Sequence, residues 1–362
     1  MPSSRIDWID SWRGLLIVLV VSGHALGGAS HIAEGANGTT LEHMCDFIYI
    51  FHMPAFFCLA GLLWKDPQSI MSFIRKKALR LIVPYFIFGV VSSVVYMITI
   101  GNIQSSLGVI TSDNYYGNNQ IGWGGLAYAL IHAGGAPNAF NFRMNSVLWF
   151  LPCMFMVEVI YAFITRWIKA KNADIFLLVG LWLFSFLIAE LPTDSLPWGL
   201  MKVPTYLGFL IIGRVFSAFI GNCERSNKLL LSLGCLSVLL LSWFYLVFPN
   251  PWVARMNIGW FVAFKLAACA GIVTTLVLSM FLNSGLMRLI GVASMAIMLV
   301  HKFPIVFLET KVAPIVTQLK SGLLCAYIAT IGVTLVATIL SIIFYFMVKY
   351  VAPWSIGLRR SE

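Results

Sequence analysis

Arg13 and His24 are separated by ten residues in RGLLIVLVVSGH, a stretch that is otherwise largely apolar. Ionisable side chains in the hydrocarbon core of a bilayer cost about 3 kcal/mol or more, and they usually mark a function. Eleven helical steps of about 100° return His24 to within about 20° of Arg13, about 16 Å further along the axis. One helix face therefore carries a fixed cation near one membrane surface and a titratable imidazole deeper inside. This arrangement suits a substrate that has an anionic head and a distant reactive end.

Asp10 adds a carboxylate to the same face. It lies fourteen residues before His24, within about 40° of it around a helix, and it can pair with Arg13 at i,i+3. Because an imidazole changes protonation near neutral pH, His24 is the best candidate for a general base. A second interpretation remains open, in which Arg13 extends to the interface as an anchor and His24 is a hydrogen-bonded core residue.

A basic run, RKKALRLIVPY, begins at Arg75. Lys76, Lys77 and Arg80 occur at i, i+1 and i+4, which predicts one shared helix face. With Arg75 they form a cationic cluster that either contacts anionic lipid headgroups or binds phosphates. The cluster and Arg13 are predicted on the same side of the membrane, which favours phosphate binding.

Two further apolar segments carry histidines. His52 interrupts the aromatic run FHMPAFFCLAGLLW, where it either packs or lines a polar cavity beside His24. In LIGVASMAIMLVHKFPIV, Ser294 and His301 are seven residues apart and therefore nearly on one face, and Pro304 is expected to bend the helix beyond them. Core packing with an interfacial histidine is the alternative for this segment.

Membrane helices must position these residues. The chain is 60% hydrophobic and 10% charged, with a mean hydropathy of +0.89, whereas soluble domains are about 25% charged. At about 20 residues per span, its 362 residues hold about ten helices, which predicts a single all-α membrane domain over 1–362. The predicted spans are 14–30, 46–64, 81–100, 145–165, 173–190, 203–220, 229–248, 258–282, 288–308 and 322–348.

The net charge of +10 follows the predicted topology. Seventeen of the 24 lysines and arginines fall on one side of the membrane, so that side is assigned to the cytoplasm with both termini. Nucleic acid is therefore not an expected partner, and the absence of a P-loop argues against an ATP-driven pump. No metal is predicted, because the cysteines show no ligand spacing and the loose acidic and histidine group at 31–46 is typical of a solvated loop.

Residues 101–143 are predicted to form a long non-cytoplasmic loop that is rich in Gly, Asn and Tyr. Long loops in compact domains tend to be functional or disordered. Its aromatic residues Tyr115, Tyr116 and Trp123 either stack on a sugar ring or sit at the membrane interface.

The ordered set of motifs resembles the acyltransferase family 3 of integral membrane proteins. IDWIDSWRGLLIVLVVSGH resembles its leading Asp-x-x-Arg-Gly signature followed by a histidine, and FHMPAFFCLAG resembles its second-helix motif. RKKALRLIVPY resembles its basic patch, although Lys76 and Lys77 replace arginines that are often found there. SVLWFLPCMFMVE, which contains Trp149, resembles its Leu-Trp-Phe-Leu segment, and LIGVASMAIMLVHKFPIV its Gly-x-x-Ser…His element.

The resemblance implies transfer of an acetyl group from acetyl-CoA to a hydroxyl of a carbohydrate or glycolipid. It implies a catalytic role for His24, an essential Arg13, and a bacterial inner-membrane protein in a standalone form without a fused hydrolase-like domain. Asp10 is expected to support that pair, and the basic cluster, together with Arg13, to bind coenzyme A. The residues expected to contact the acceptor are His52, Tyr115, Tyr116, Trp123, Trp149, Ser294 and His301. A secondary transporter of sugars or glycolipids and an N-acetyltransferase remain alternatives, and the oligomeric state is left open.

Overall fold

The computed structural model describes residues 7–33, 35–107, 130–131, 145–168, 173–189, 191, 196–223, 227–247, 258–318 and 322–358. Within these ranges the regular elements are α-helices, 3-10 helices and one π-helical turn, which confirms the predicted all-helical fold class. Most of the predicted loop at 101–143, including Tyr115, Tyr116 and Trp123, lies outside the described residues. Its first residues do not form a loop, because the preceding helix continues to Leu107.

The α-helices are α1 (Asp7–Ile32), α2 (Gly35–Leu62), α3 (Ile70–Lys77), α4 (Val83–Leu107), α5 (Phe150–Trp167), α6 (Ala173–Leu187), α7 (Val203–Cys223), α8 (Asn227–Val247), α9 (Ile258–Phe281), α10 (Gly285–Val292), α11 (Ser294–Val300), α12 (Lys302–Gln318) and α13 (Leu323–Val351). A π-helical turn, Ala78–Ile82, joins α3 to α4. Short 3-10 segments occupy Ser146–Trp149, Pro197–Lys202 and Pro353–Ile356.

Seven helical segments of the described chain are long and apolar enough to cross a membrane. The predicted span at 288–308 differs most, because α10, α11 and α12 replace one continuous helix, with breaks at Ala293 and His301. Pro304 explains the second break: it has no N–H to donate to the carbonyl four residues earlier. The protein is an integral membrane helix bundle, and the number of ten spans and the orientation of the termini stay predictions.

The chain divides into two compact units, residues 1–64 with 209–346 and residues 65–208 with 347–362. In the first unit, α1 is the central helix and packs against α2, α9, α10, α11 and α12. One part of its middle is fully enclosed, as Leu16, Ile17, Val20 and Val21 show no exposed surface. Asp10 and Ser11, near the start of this helix, are buried as well.

Two glycines allow α1 and α10 to cross at backbone contact. A Cβ on Gly14 would overlap the carbonyl oxygen of Met287, and a Cβ on Gly291 would overlap that of Asp10. These glycines belong to the RGLL and LIGVAS motifs. Small residues at such crossings are typical of membrane helices, where close packing replaces the hydrophobic effect.

The second unit is built around α3, the π-helical turn, α4 and α5. The buried Tyr85 at the start of α4 donates a hydrogen bond to the carbonyl of Leu130 at 2.8 Å, and Trp198 donates to the same carbonyl at 3.1 Å. Gly357, at a φ of +74°, lies against the backbone of Arg80 in the π-helical turn. The segment that carries the basic cluster is thus fixed at several points.

Candidate active site

His24 lies on α1 and is bound by the phenol of Tyr49 on α2. The Tyr49 oxygen and His24 Nδ1 are 2.8 Å apart, and the two rings meet edge to face with centroids 5.6 Å apart. Gly23 makes room for this contact, since a Cβ there would come within 2.7 Å of the Tyr49 ring. Tyr49 therefore fixes both the ring orientation and the use of one imidazole nitrogen.

Two more histidines complete a cluster with His24 in the first unit. The rings of His24 and His301 have centroids 5.4 Å apart, and those of Tyr49 and His52 are 5.0 Å apart. His52 and His301 are buried, and each donates from Nδ1 to the carbonyl one turn earlier, at 2.8 and 2.7 Å. The Nε2 atom of His301 is buried without a hydrogen-bond partner among the described residues.

The sequence placed His24, His52 and His301 as candidates, and the structure brings all three together. It adds Tyr49 and Cys45, whose thiol donates to the Gly23 carbonyl at 3.1 Å. Tyr49 gave no signal of its own because this helix is rich in aromatic residues. Among the described residues no group of three His, Cys, Asp or Glu side chains has the arrangement of a metal site.

Lys302 and Glu309, both on α12, add two ionisable side chains beside this cluster. Lys302 lies within electrostatic range of His24, and the two α12 residues lie within range of each other. Lys302 follows His301 directly in an apolar run, which is the signal that could have identified it. A charged residue in such a position marks a functional site by the same reasoning that applies to Arg13.

The predicted pair of Asp10 and Arg13 is present near the start of α1. Arg13 Nη1 lies 3.3 Å from Asp10 Oδ1, and Asp10 is only 4% exposed while Arg13 is half-buried. Two further contacts hold this end of the helix: Arg288 pairs with Asp7, and Ser11 donates to Asn283 at 2.8 Å. Arg13 and His24 share one continuous helix, as the spacing predicted.

The basic residues of the RKKALR run, in the second unit, do not all lie on one exposed helix face. Lys77 forms an ion pair with the buried Glu158 on α5, and its ammonium group lies 5.4 Å from the centre of the Phe73 ring. Arg75, Lys76 and Arg80 are exposed. The predicted shared face of Lys76, Lys77 and Arg80 is therefore wrong, because Glu158 directs Lys77 inward and the π-helical turn changes the spacing after it.

Trp149 and Ser294 belong to different units of the chain. In the second unit, the Lys202 ammonium group lies 4.4 Å from the centre of the Trp149 ring. The ring centroids of Trp149 and Tyr206 are 5.6 Å apart. Ser294 is the half-buried first residue of α11 in the first unit. Their contact with an acceptor stays a prediction.

The sequence profile of a family described as an acyltransferase domain matches residues 6–348. The chain belongs to acyltransferase family 3. The resemblance inferred from the motifs is thereby confirmed, and the protein is a membrane acyltransferase. No curated protein and no solved structure shows a match to it.

In this acyltransferase some motif residues allow close helix packing, and others form the histidine cluster. Gly14 and Gly291 bring α10 and the His301 segment against α1, while His24, His52 and His301 supply the polar groups. An imidazole held at one nitrogen can exchange a proton at the other, which is the property of a general acid or base.

Proposed function

We propose that the protein transfers an acetyl group from acetyl-CoA to a hydroxyl of a carbohydrate or glycolipid, with His24 as the general base. The observation that carries this proposal is the hydrogen bond between Tyr49 and His24 Nδ1 within a histidine cluster of an acyltransferase. In the active tautomer, His24 donates from Nδ1 to the Tyr49 oxygen. Nε2 is then free to accept a proton.

The reaction needs one proton acceptor and one electrophile. His24 Nε2 removes the proton of the acceptor hydroxyl while its oxygen attacks the thioester carbonyl carbon. The tetrahedral intermediate collapses with cleavage of the carbon–sulfur bond, and the thiolate of coenzyme A takes the proton from the imidazolium. In a variant, His24 itself takes the acetyl group first, which ping-pong kinetics or a trapped acetyl adduct on His24 would identify.

The donor is proposed to enter from the Arg13 end of α1. Arg13 and His24 are about 16 Å apart along this helix, which is of the same order as the pantetheine arm of coenzyme A. Asp10 fixes the guanidinium group, which can then bind phosphate oxygens. The exposed cations Arg75, Lys76 and Arg80 are proposed as further phosphate ligands.

His24 is tested with purified protein, acetyl-CoA and an extract of host glycans, with acetylated products identified by mass spectrometry. His24→Ala should lower the rate by about 10²- to 10⁴-fold, the usual worth of a general base. His31→Ala is the matched control, because His31 is an exposed histidine on the same helix. Near-normal transfer by folded His24→Ala would refute both mechanisms, and acetyl-CoA binding without any acetylated product would favour a transporter.

The donor site is tested by charge reversal. Lys76→Glu and Arg80→Glu should each raise the acetyl-CoA KM about tenfold or more, because a charge-assisted phosphate contact is replaced by repulsion. Arg166→Glu, an exposed arginine at the end of α5, is the control. An unchanged KM in the two cluster variants would remove them from the donor site.

A further inference from the structure

The proposed reaction creates a negative charge that His24 does not itself stabilise. When the acceptor oxygen attacks, an electron pair of the thioester carbonyl moves onto the carbonyl oxygen, and it returns when the carbon–sulfur bond breaks. Hydrogen-bond donors aimed at this oxyanion are a general means of catalysis, and one such donor contributes about 10²- to 10³-fold in kcat. The donor must lie near His24, because the base and the attacked carbon are neighbours.

Four side chains around His24 do not direct a donor toward its Nε2 atom. Tyr49 lies at Nδ1, on the side of the ring away from Nε2. The thiol of Cys45 donates to a backbone carbonyl of α1. His52 and His301 each donate from Nδ1 to a backbone carbonyl, which leaves Nε2 of a neutral imidazole as an acceptor. An oxyanion beside His24 Nε2 therefore needs another donor.

Lys302 is a further side chain of this cluster, and it makes no hydrogen bond or ion pair with a described residue. His24, His301 and Cys45 all lie within its electrostatic range. Its amino group carries N–H bonds in both protonation states, so it can donate a hydrogen bond in either one. Lys302 thus supplies the donor that the four other side chains do not.

The packing of α12 on α1 directs Lys302 toward His24. The carboxylate of Glu309 lies against the α1 backbone at Gly28, where any Cβ would overlap it. Lys302 lies seven residues before Glu309, which places both on the face of α12 that meets α1. His24 lies four residues before Gly28, on the corresponding face of α1. The ring of His301, the residue before Lys302, has its centroid 5.4 Å from that of His24, so the two faces also meet at this level.

We propose that the amino group of Lys302 donates a hydrogen bond to the thioester carbonyl oxygen of acetyl-CoA and stabilises the oxyanion that forms there. This inference rests on the proposed acetyl transfer at His24. The carbonyl group then lies between His24 Nε2 and the amino group. The proton of the acceptor hydroxyl passes through His24 to the thiolate of coenzyme A, and Lys302 keeps its own hydrogens throughout.

Three variants of the full chain in detergent test this role in turnover. Lys302→Met removes every donor but keeps the length of the side chain, and its kcat should fall about 10²- to 10³-fold. The acetyl-CoA KM should change by about twofold or less, because the lost interaction forms mainly in the transition state. Lys302→Gln keeps an N–H donor and should retain more of the rate. Lys311→Met, at an exposed lysine of the same helix, is the matched control.

The infrared carbonyl band of bound acetyl-CoA, isotope-labelled at the acetyl carbonyl carbon, separates a direct contact from a structural role. A hydrogen bond to the carbonyl oxygen lowers its stretching frequency, so the band of the bound donor should lie below that of free acetyl-CoA. It should return toward the free position in Lys302→Met and remain shifted in Lys311→Met. Unfolding temperatures show whether each variant is folded.

The two measurements distinguish this inference from the proposed function. An unshifted band in the wild type, or a wild-type rate and band in Lys302→Met, would overturn the inference. A shift that depends on Lys302 in a protein that acetylates no glycan would refute the proposed function and leave Lys302 at the thioester. Acetylated glycan that requires His24 but not Lys302 would refute the Lys302 contact alone.

Discussion

At the residue scale, the neighbours of His24 determine which of its nitrogens is hydrogen-bonded within the protein. Tyr49 occupies Nδ1, and Gly23 leaves space for the tyrosine ring. His301 lies close to the same imidazole, but its own Nδ1 donates a hydrogen bond to a backbone carbonyl. The nitrogen that the proposed mechanism uses is thus selected by a phenol on a second helix, and not by His24 alone.

Tyr49→Phe tests this selection. The ring and its packing against Gly23 remain, so the free energy of unfolding should fall by only about 1 kcal/mol. The value of kcat should fall about 10- to 100-fold, because the imidazole loses the hydrogen bond that sets its tautomer and orientation, while the acetyl-CoA KM stays constant. Steady-state kinetics over a pH series provide the measurement.

Tyr245→Phe is the matched control. Tyr245 stacks on His43 with ring centroids 4.3 Å apart, so the same hydroxyl is removed from another tyrosine–histidine pair of the first unit. Equal rate losses in the two variants would contradict a specific role for Tyr49.

At the element scale, the crossing of α1 and α10 places the His301 segment. Gly291→Ala would force these backbones apart, since the new Cβ overlaps the Asp10 carbonyl oxygen. We expect a loss of about 2 kcal/mol or more in the free energy of unfolding, as for other overpacked contacts, with a fall in activity. Gly285→Ala, at the open first position of α10, should be neutral or slightly stabilising. Similar unfolding temperatures for the two variants would contradict the close crossing.

The ion pair of Lys77 and Glu158 belongs to the same scale, because it joins α3 to α5. Lys77→Met leaves a buried carboxylate without its cation and should cost about 2 kcal/mol or more. The double variant Lys77→Met with Glu158→Gln should recover most of that loss. Lys76→Met is the control, as Lys76 is exposed. Denaturation in detergent measures all three, and equal stability of the Lys77 and Lys76 variants would contradict the structural role of Lys77.

At the scale of the whole molecule, composition was sufficient to predict the helical bundle. In lipid the backbone N–H and C=O groups must be hydrogen-bonded within the protein, and helices achieve this. The spacing of Arg13 and His24 was equally informative, since both lie on one helix. The inward turn of Lys77 was not predictable, because it depends on Glu158 81 residues later and on a π-helical turn. The positions of Tyr49 and Glu309 could not be predicted either, because each packs against a glycine of α1 that is distant in the sequence.

The broken segment of α10, α11 and α12 provides a test of the whole topology. Gly285 is its first residue and Gly322 follows it, and a Cβ added to either glycine would meet no described atom within 4 Å. If the segment crosses the membrane as the positive-inside rule predicts, these two positions lie on opposite sides, with Gly285 in the cytoplasm. In a cysteine-free background, Gly322→Cys in intact cells should react with a membrane-impermeant maleimide, whereas Gly285→Cys should react only after permeabilisation. Reaction of both in intact cells would show a re-entrant segment and would contradict the predicted crossing.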